Sequence, residues 1–420
     1  MQSDIRTALL KVRARRSHER RNSSSRINDQ LQQDPTYEPF IEGEEELDDE
    51  LDGQFRPRRH TCAQEVMIMR KTSRPHVVEV LGSIPAYENP YIAYFRVMSC
   101  YDVIPQTSQL MFIDCELLIH QAFAALLDHP DRAGVVYNST QHDYMAVLTQ
   151  TDFLMMVYHS YVTRDPSMHV KSVKWWFNFF ANCSSNRPAY LPEYERPVVV
   201  NASSTLLTAV NLVVSKHLYR LGLLDESAAG TIIHLLELKR MLRSIQKQIR
   251  SLTIPHWMLS SIKHTQLGNW TEIKTVTKST PLIDAIKVLL TNQLTSLLVL
   301  DDGGKPIDVV TEWDVVFCTL RSLVLEKLSN IEPSESERPS LAPHLEINKK
   351  TISDAIECRL HPNTFRGHPA PRFCSEDDNI VSIVDLLVAN AQCNCIFILN
   401  HQGQCVGAVS VHDIMRYMFS

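Results

Sequence analysis

Apolar positions along the chain fall into a pattern that returns four times. Leu110-Met111-Phe112-Ile113-Asp114 reads as a short strand, after which Leu118, Ala122, Phe123, Leu126 and Leu127 fall at helical spacing. Asp131 to Tyr137 then leaves that helix for a second strand. A polar turn and the strand Tyr144 to Leu148 follow, and a second helix starts with the apolar run Phe153 to Val157. The order is strand, helix, strand, strand, helix. A second unit opens at Pro197-Val198-Val199-Val200, with Ser203 or Ser204 as the helix cap and Leu206, Ala209, Val210 and Val213 as the buried stripe. It continues through Tyr219 to Asp225 and Thr231 to Leu236 into a basic helix, Lys239 to Ile249. The third unit has a helix start at Thr280-Pro281, a strand from Ser296, a turn at Asp302-Gly303-Gly304-Lys305 and a returning strand from Ile307 to Val310. The fourth has Ile380, Ile383, Leu386 and Leu387 on one helix face, then strands from Cys395 and Val406 around a turn at His401-Gln402-Gly403-Gln404.

Each final strand runs into its helix through a short polar frame. The clearest is Val147-Leu148-Thr149-Gln150-Thr151-Asp152, and its counterparts are Glu237-Leu238-Lys239-Arg240, Thr311-Glu312-Trp313-Asp314 and Ser410-Val411-His412-Asp413. An aspartate in the first turn of a helix is a capping residue, and it also has the chemistry to accept two hydrogen bonds from a vicinal diol such as a ribose. Repeats about 75 to 100 residues apart are too long for a simple solenoid. A three-stranded sheet with two helices buries too little surface alone, so the units are expected to pair.

Outside the repeats, Tyr158 to Arg196 reads as a linker whose Trp175-Trp176-Phe177 and Phe179-Phe180 cap the core or meet another subunit. Ile331 to Pro343 reads as an inserted Pro/Ser/Glu-rich loop. Residues 1–60 combine an Arg/Ser-rich start with an acidic stretch from Glu42 to Asp52, a composition that cannot support a packed core, and are expected to be disordered. The run Lys11-Val12-Arg13-Ala14-Arg15-Arg16 has the form of a nuclear address and Arg20-Arg21-Asn22-Ser23 that of a basophilic kinase site. A mitochondrial presequence is the competing reading, weakened by Asp4 and Glu19.

The 420 residues suffice for two domains with sizeable cores, and a net charge of −6 points to neither nucleic acid nor a membrane surface. No apolar run approaches the roughly 20 residues of a membrane helix. Ten scattered cysteines without a secretory signal favour free thiols in a reducing compartment, so the cytoplasm is expected, with the nucleus as a second location. Cys393, Cys395 and Cys405 with His401 and His412 fit no common zinc spacing, and no metal is expected. No Gly-rich phosphate loop, nucleophile elbow or His-Glu-x-x-His pattern is present.

The repeats resemble cystathionine-beta-synthase (CBS) motifs. Ser99-Cys100-Tyr101-Asp102-Val103-Ile104-Pro105, Gln121 to Leu126, Asp131-Arg132-Ala133 and Leu148 to Phe153 are similar to the gamma-subunit family of AMP-activated protein kinase over about Tyr91 to Ser420. The resemblance implies an α+β fold of four CBS motifs (β-α-β-β-α) forming two tandem pairs, or Bateman modules, in a pseudo-symmetric disc. The motifs are expected at 91–165, 166–252, 253–328 and 346–420, after a linker at 61–90 and with a loop at 329–345. It also implies AMP, ADP and ATP as bound regulators and kinase catalytic alpha and scaffold beta subunits as partners. Tyr91 to Ile104 would meet the beta subunit, by strand addition.

Carried over by position, the ribose acids are Asp152, Asp314 and Asp413, beside Val147, Leu148, Thr151 and Thr311. Arg132, Arg220, Lys239 and Arg359 would hold phosphate, with Thr149 and Ser410 as hydroxyl partners. The chain departs from the family at Tyr219, Gln293, Asn394 and Cys395, where cations are expected, at Arg240, where an acid is missing in the family too, and at Asn269, in place of a threonine. Each lost cation removes a charge-assisted bond worth about 1.5 to 3 kcal/mol. Two functions are therefore open: a non-catalytic adenylate sensor, or a gamma-like assembly subunit blind to nucleotide. An enzyme is the third possibility, with no catalytic domain left once the repeats are subtracted.

Overall fold

The computed structural model describes residues 39–40, 66–71, 78–84, 89–321, 347–360 and 373–419. Breaks fall at 106–107, 128, 130, 184–187, 189, 192–195, 227–229, 250–253 and 391–392. The basic and phosphorylatable stretches near the start and the Ile331 to Pro343 loop lie outside the described residues. The chain divides into two units, Met1–Ala86 and Tyr87–Ser420. In the first, Pro39–Phe40, Val66–Lys71 and Val78–Ile84 make a three-stranded antiparallel sheet. These strands lie where a disordered tail and a linker are expected; Val66-Met67-Ile68-Met69 and Val78-Glu79-Val80 carry the branched and apolar side chains that favour strand.

The second unit holds four copies of one design. In each, a short strand pairs in parallel with the strand that follows the first helix, because a helix crossover returns the chain in the same direction. A tight hairpin then adds an antiparallel third strand. The pairs are Phe112–Asp114 with Gly134–Asn138 and Asp143–Leu148, and Val199–Asn201 with Arg220–Asp225 and Thr231–Glu237. Thr275–Thr277 joins Ser296–Leu300 and Pro306–Thr311, and Phe373–Ser375 joins Cys395–Leu399 and Cys405–Ser410. A register shift falls at the same place in every hairpin, at Val136/Tyr137, Leu223/Leu224, Val299/Leu300 and Ile398/Leu399. A bulge retained four times marks the repeats as one unit duplicated. Gly304 and Gly403 turn the third and fourth hairpins at φ +77° and +75°, which a side chain would resist.

Pairing follows from an exchange of backbone. The loop at the start of each first helix bridges to the segment that leads into the neighbouring repeat. Leu118 bridges Ser172 and Thr205 bridges Ser99, which ties repeats one and two reciprocally; Pro281 bridges Thr351 and Asn379 bridges Ser261, which ties three and four. Small sheet-to-sheet cores complete each pair, with Ala133, Val135, Ile232 and Leu235 in one, and Leu298, Val309, Cys393 and Phe397 in the other. The two pairs meet through helices. Gln150–Thr163 packs on Glu312–Leu320 and Leu282–Thr291, and Leu238–Gln248 packs on Ile380–Ala389 and Val411–Phe419. Phe123 links Phe153 and Trp313 at centroid distances of 5.3 and 6.0 Å, so repeats one and three share one core.

Three expectations change. Tyr91 to Ile104 is not available for strand addition: Pro90–Val97 is a helix with proline in its first turn and Asn89 as cap. Its Tyr91 and Phe95 are fully buried, Phe95 lies 4.6 Å from Phe419, and the helix packs on the Leu206–Ser215 and Val411–Phe419 helices. The stretch read as a linker contains the helix Val173–Asn182, whose Trp176, Phe177 and Phe180 are buried in the main core. Thr205, not Ser203 or Ser204, caps the Leu206–Ser215 helix, accepting from Thr208 N. Ser203 is drawn away by Glu226, and the Ser204 carbonyl accepts from Cys100 N in the exchange between repeats.

Candidate functional site

The strand-to-helix turns are built alike. Asp152 Oδ2 accepts from Thr149 N at 2.8 Å and Thr149 Oγ1 at 2.9 Å. Asp314 Oδ2 accepts from Thr311 N at 2.9 Å and Oγ1 at 2.8 Å, and Asp413 Oδ2 from Ser410 N at 2.9 Å and Oγ at 2.7 Å. Each is a cap in which the acid answers the backbone before its own helix. One carboxylate oxygen and one hydroxyl per turn are thus committed to local structure, including those of Thr149 and Ser410. Leu148 is fully buried opposite Gly134, and Val147 packs against the core between the first two sheets.

The first and third turns face one another. Glu312 Oε2 accepts from Gln150 Nε2 at 3.1 Å, and Thr151 Oγ1 donates to both oxygens of Glu312 at 3.1 and 3.2 Å. Glu312 and Asp152 are buried, and burial pushes their pKa values up to about 7 and about 6. Thr151 and Gln150 oppose the rise at Glu312, while the Asp152 charge adds to it and Arg220 offsets it. The place where repeats one and three meet is therefore acidic, which sequence reading did not single out. The signal was in the frame itself, since Glu312 stands beside Thr311 where the other repeats have Gln150, Leu238 and Val411.

The cations predicted for phosphate separate into two groups. Arg132 lies with Cζ 4.1 Å from the centre of the Trp313 ring, a cation–π contact, and the neighbouring Asp314 charge partly offsets the burial that lowers its pKa to about 10. Arg359 donates to Val309 O at 3.0 Å, bonds Asp308 Oδ2, and has Nη1 3.6 Å from Asp314 Oδ2. Arg132, Asp314 and Arg359 come from repeat one, repeat three and the segment leading into repeat four. Tertiary packing brings them to one place.

Lys239 and Arg220 are tied to other partners, although the Arg220 charge still reaches Glu312. Buried Lys239 donates from Nζ to Asn390 O at 2.8 Å and Cys393 O at 2.6 Å, tying repeat two to repeat four, and burial lowers its pKa to about 8. Arg220 pairs with Glu237 at 2.7 Å and donates to Asp131 O at 3.0 Å; Arg240 donates to Val103 O at 2.8 Å.

Positions where the sequence departs from the family have backbone roles. The carbonyls of Tyr219 and Asn394 accept from Leu238 N and Val411 N at 2.9 Å, holding the starts of the second helices, as Thr295 does for Glu312 at 3.1 Å. Gln293 sits at φ 52° in the turn after a helix. The Tyr219 ring lies edge-on to His412 at 4.7 Å, and burial raises its phenol pKa. Asn269 pairs with Ala408 through both backbone groups, at 2.8 and 2.9 Å, sewing the entry to repeat three onto repeat four. An open groove of about 830 Å³, lined by Lys263, Trp270, Leu298, Glu376 and Gln404 among others, lies between the third and fourth sheets, and none of the three capping aspartates lines it. Among the described residues no three His, Cys, Asp or Glu side chains converge as a metal-binding set, and no helix there is long and apolar enough to cross a membrane.

The CBS domain family model matches residues 267–319 and 368–420. Over 78% of its length the chain is similar to gamma-3 subunits of 5'-AMP-activated protein kinase, at 25% identity to that of Bos taurus and 23% to that of Homo sapiens. It spans 59% and 60% of those two relatives, about three-fifths of each. Among solved structures, a Methanocaldococcus jannaschii protein described as a candidate archaeal homologue of g-AMPK matches 74% of this chain and 97% of its own, at 11% identity and a TM-score of 0.53.

Proposed function

We propose that this chain, a CBS-domain protein related to AMP-activated protein kinase gamma subunits, is a non-catalytic regulatory subunit. In that role it joins kinase alpha and beta chains and senses AMP, ADP and ATP. One observation carries the reading: Arg132, Asp314 and Arg359 converge from three separate segments beside the Trp313 ring. The acid suits a ribose diol and the two guanidiniums suit phosphate oxygens. Because Arg132 and Asp314 lie on different pairs, a ligand touching both would couple the modules if its affinity differed between their arrangements. Asp152 and Asp413 offer similar turns. Titration of the purified chain with AMP and ATP tests this reading. Asp314→Ala and Arg132→Ala are each expected to weaken AMP binding about tenfold or more; curves identical to the parent chain's would refute it.

A second reading is favoured by a different observation. The phosphate set is reduced, since Lys239 holds two carbonyls, Arg220 holds Glu237, and buried Glu312 opposes anions where repeats one and three meet. A gamma-like assembly subunit that docks the kinase without sensing nucleotide would have these features. Co-purification with alpha and beta chains, together with no AMP, ADP or ATP binding, would select it.

A further inference from the structure

We propose that Cys318 and Cys358 are a redox-modification site, closing reversibly to a disulfide when hydrogen peroxide supplies the oxidising equivalents. Cys318 lies near the end of the Glu312–Leu320 helix, and Cys358 lies 40 positions on, in the Ile352–Leu360 helix packed against it. Their Sγ atoms are 3.4 Å apart. A disulfide needs about 2.05 Å, so the two sulfurs must approach by about 1.4 Å. Both thiols are buried, with Cys318 fully covered, so a small neutral oxidant suits the site.

The surroundings differentiate the two sulfurs. Within the pair, the mutual hydrogen bond between the sulfurs holds the Cys358 thiol below the ordinary range, while Cys318 is pushed up. Arg321 and Lys350 favour the thiolate at either sulfur, and Lys350 Nζ is anchored nearby on the Cys318 carbonyl at 2.8 Å. Cys358, which keeps a trace of exposure where Cys318 has none, is the sulfur that meets the oxidant first. Its thiolate forms an S–O bond as the peroxide O–O bond breaks, and the departing hydroxide takes a proton to leave as water. Cys318 then attacks that sulfur, an S–S bond forms as the S–O bond breaks, and the second water carries off the Cys318 proton. Two thiols lose two electrons and one peroxide becomes two waters.

The crosslink would fasten the helix that carries Asp314, four residues before Cys318, to the helix that carries Arg359, next to Cys358. Detection of the bond does not depend on nucleotide binding, so this inference and the sensor reading can fail separately. The reduced full-length chain is exposed to graded hydrogen peroxide, alkylated, digested and mapped by mass spectrometry. The expected product is a Cys318–Cys358 peptide pair, about 2 Da lighter than its reduced parts, that dithiothreitol dissolves. Hydrogen exchange over residues 352–360 should slow in the oxidised chain. Cys358→Ser should abolish the crosslink and leave Cys318 alkylatable. Both cysteines staying alkylatable at doses that oxidise partly exposed Cys183, or crosslinks formed with other cysteines instead, would overturn the proposal.

Discussion

Replacing Glu312 by glutamine isolates the electrostatic cost of the acid between repeats one and three. The side chain is buried, and its pKa is raised from the ordinary 4.5 to about 7 by loss of water, with the Asp152 charge adding to the rise and Thr151, Gln150 and Arg220 opposing it. A raised carboxylate pKa means that the folded state binds the proton more tightly than the unfolded state. The penalty is therefore absent below pH 4.5, grows through the window up to about 7 and is complete above it. At 1.36 kcal/mol per pKa unit it is worth about 3 kcal/mol. Glutamine keeps an oxygen for Thr151 and Gln150 and carries no charge. Glu312→Gln should thus be more stable than the parent chain at pH 8 by up to about 3 kcal/mol, or about 4 °C in Tm for a unit of this size. At pH 4.5 the two should melt together. Paired thermal and urea denaturation at both pH values reads the difference. A variant less stable at pH 8, or shifted equally at the two pH values, would refute the reasoning.

Lys239→Met should destabilise the fold by about 2 kcal/mol, because the carbonyls of Asn390 and Cys393 lose their donor, and should leave AMP titration unchanged. Lost nucleotide affinity with intact stability would return Lys239 to the phosphate set. Gly268→Ala should cost about 2 to 4 kcal/mol in urea denaturation, since Gly268 stands at φ +93° and a Cβ would meet Ala408 O at 2.4 Å; an unchanged midpoint would contradict the tight join between repeats three and four. Arg359→Ala leaves half-buried Asp308 without its main cation and removes the donor to the Val309 carbonyl, and should cost about 1 to 2 kcal/mol, which thermal melting would detect.

Local chemistry was legible throughout. The β-α-β-β-α order, the apolar stripe of Leu206, Ala209, Val210 and Val213, and the capping aspartates each follow from neighbours within a few residues of one another. Helical spacing and cap preference express themselves over that range. The Trp175 to Phe180 cluster stands out in the sequence for its aromatics, yet its helix was also legible, since Lys174, Asn178 and Asn182 fall four apart opposite Val173, Trp176, Phe177 and Phe180; only the partners that bury that apolar face are set by the tertiary structure. The segment from Tyr91 likewise reads as strand or helix until its partners are known.

What the amino-acid order determined alone was the repeated unit and the need for each unit to be paired, since a three-stranded sheet with one apolar face cannot stand in water. Only the tertiary structure decided which charges meet. Arg132, Asp314 and Arg359 are far apart in the chain, and so are Lys239 and the Asn390 carbonyl. Their pairing depends on the exchange of lead-in segments within each pair and on helix packing between pairs. The acidity where Glu312 faces Thr151 arises in the same way, because a carboxylate's pKa depends on the water it loses and the charges brought near it, neither of which is written beside it in the sequence.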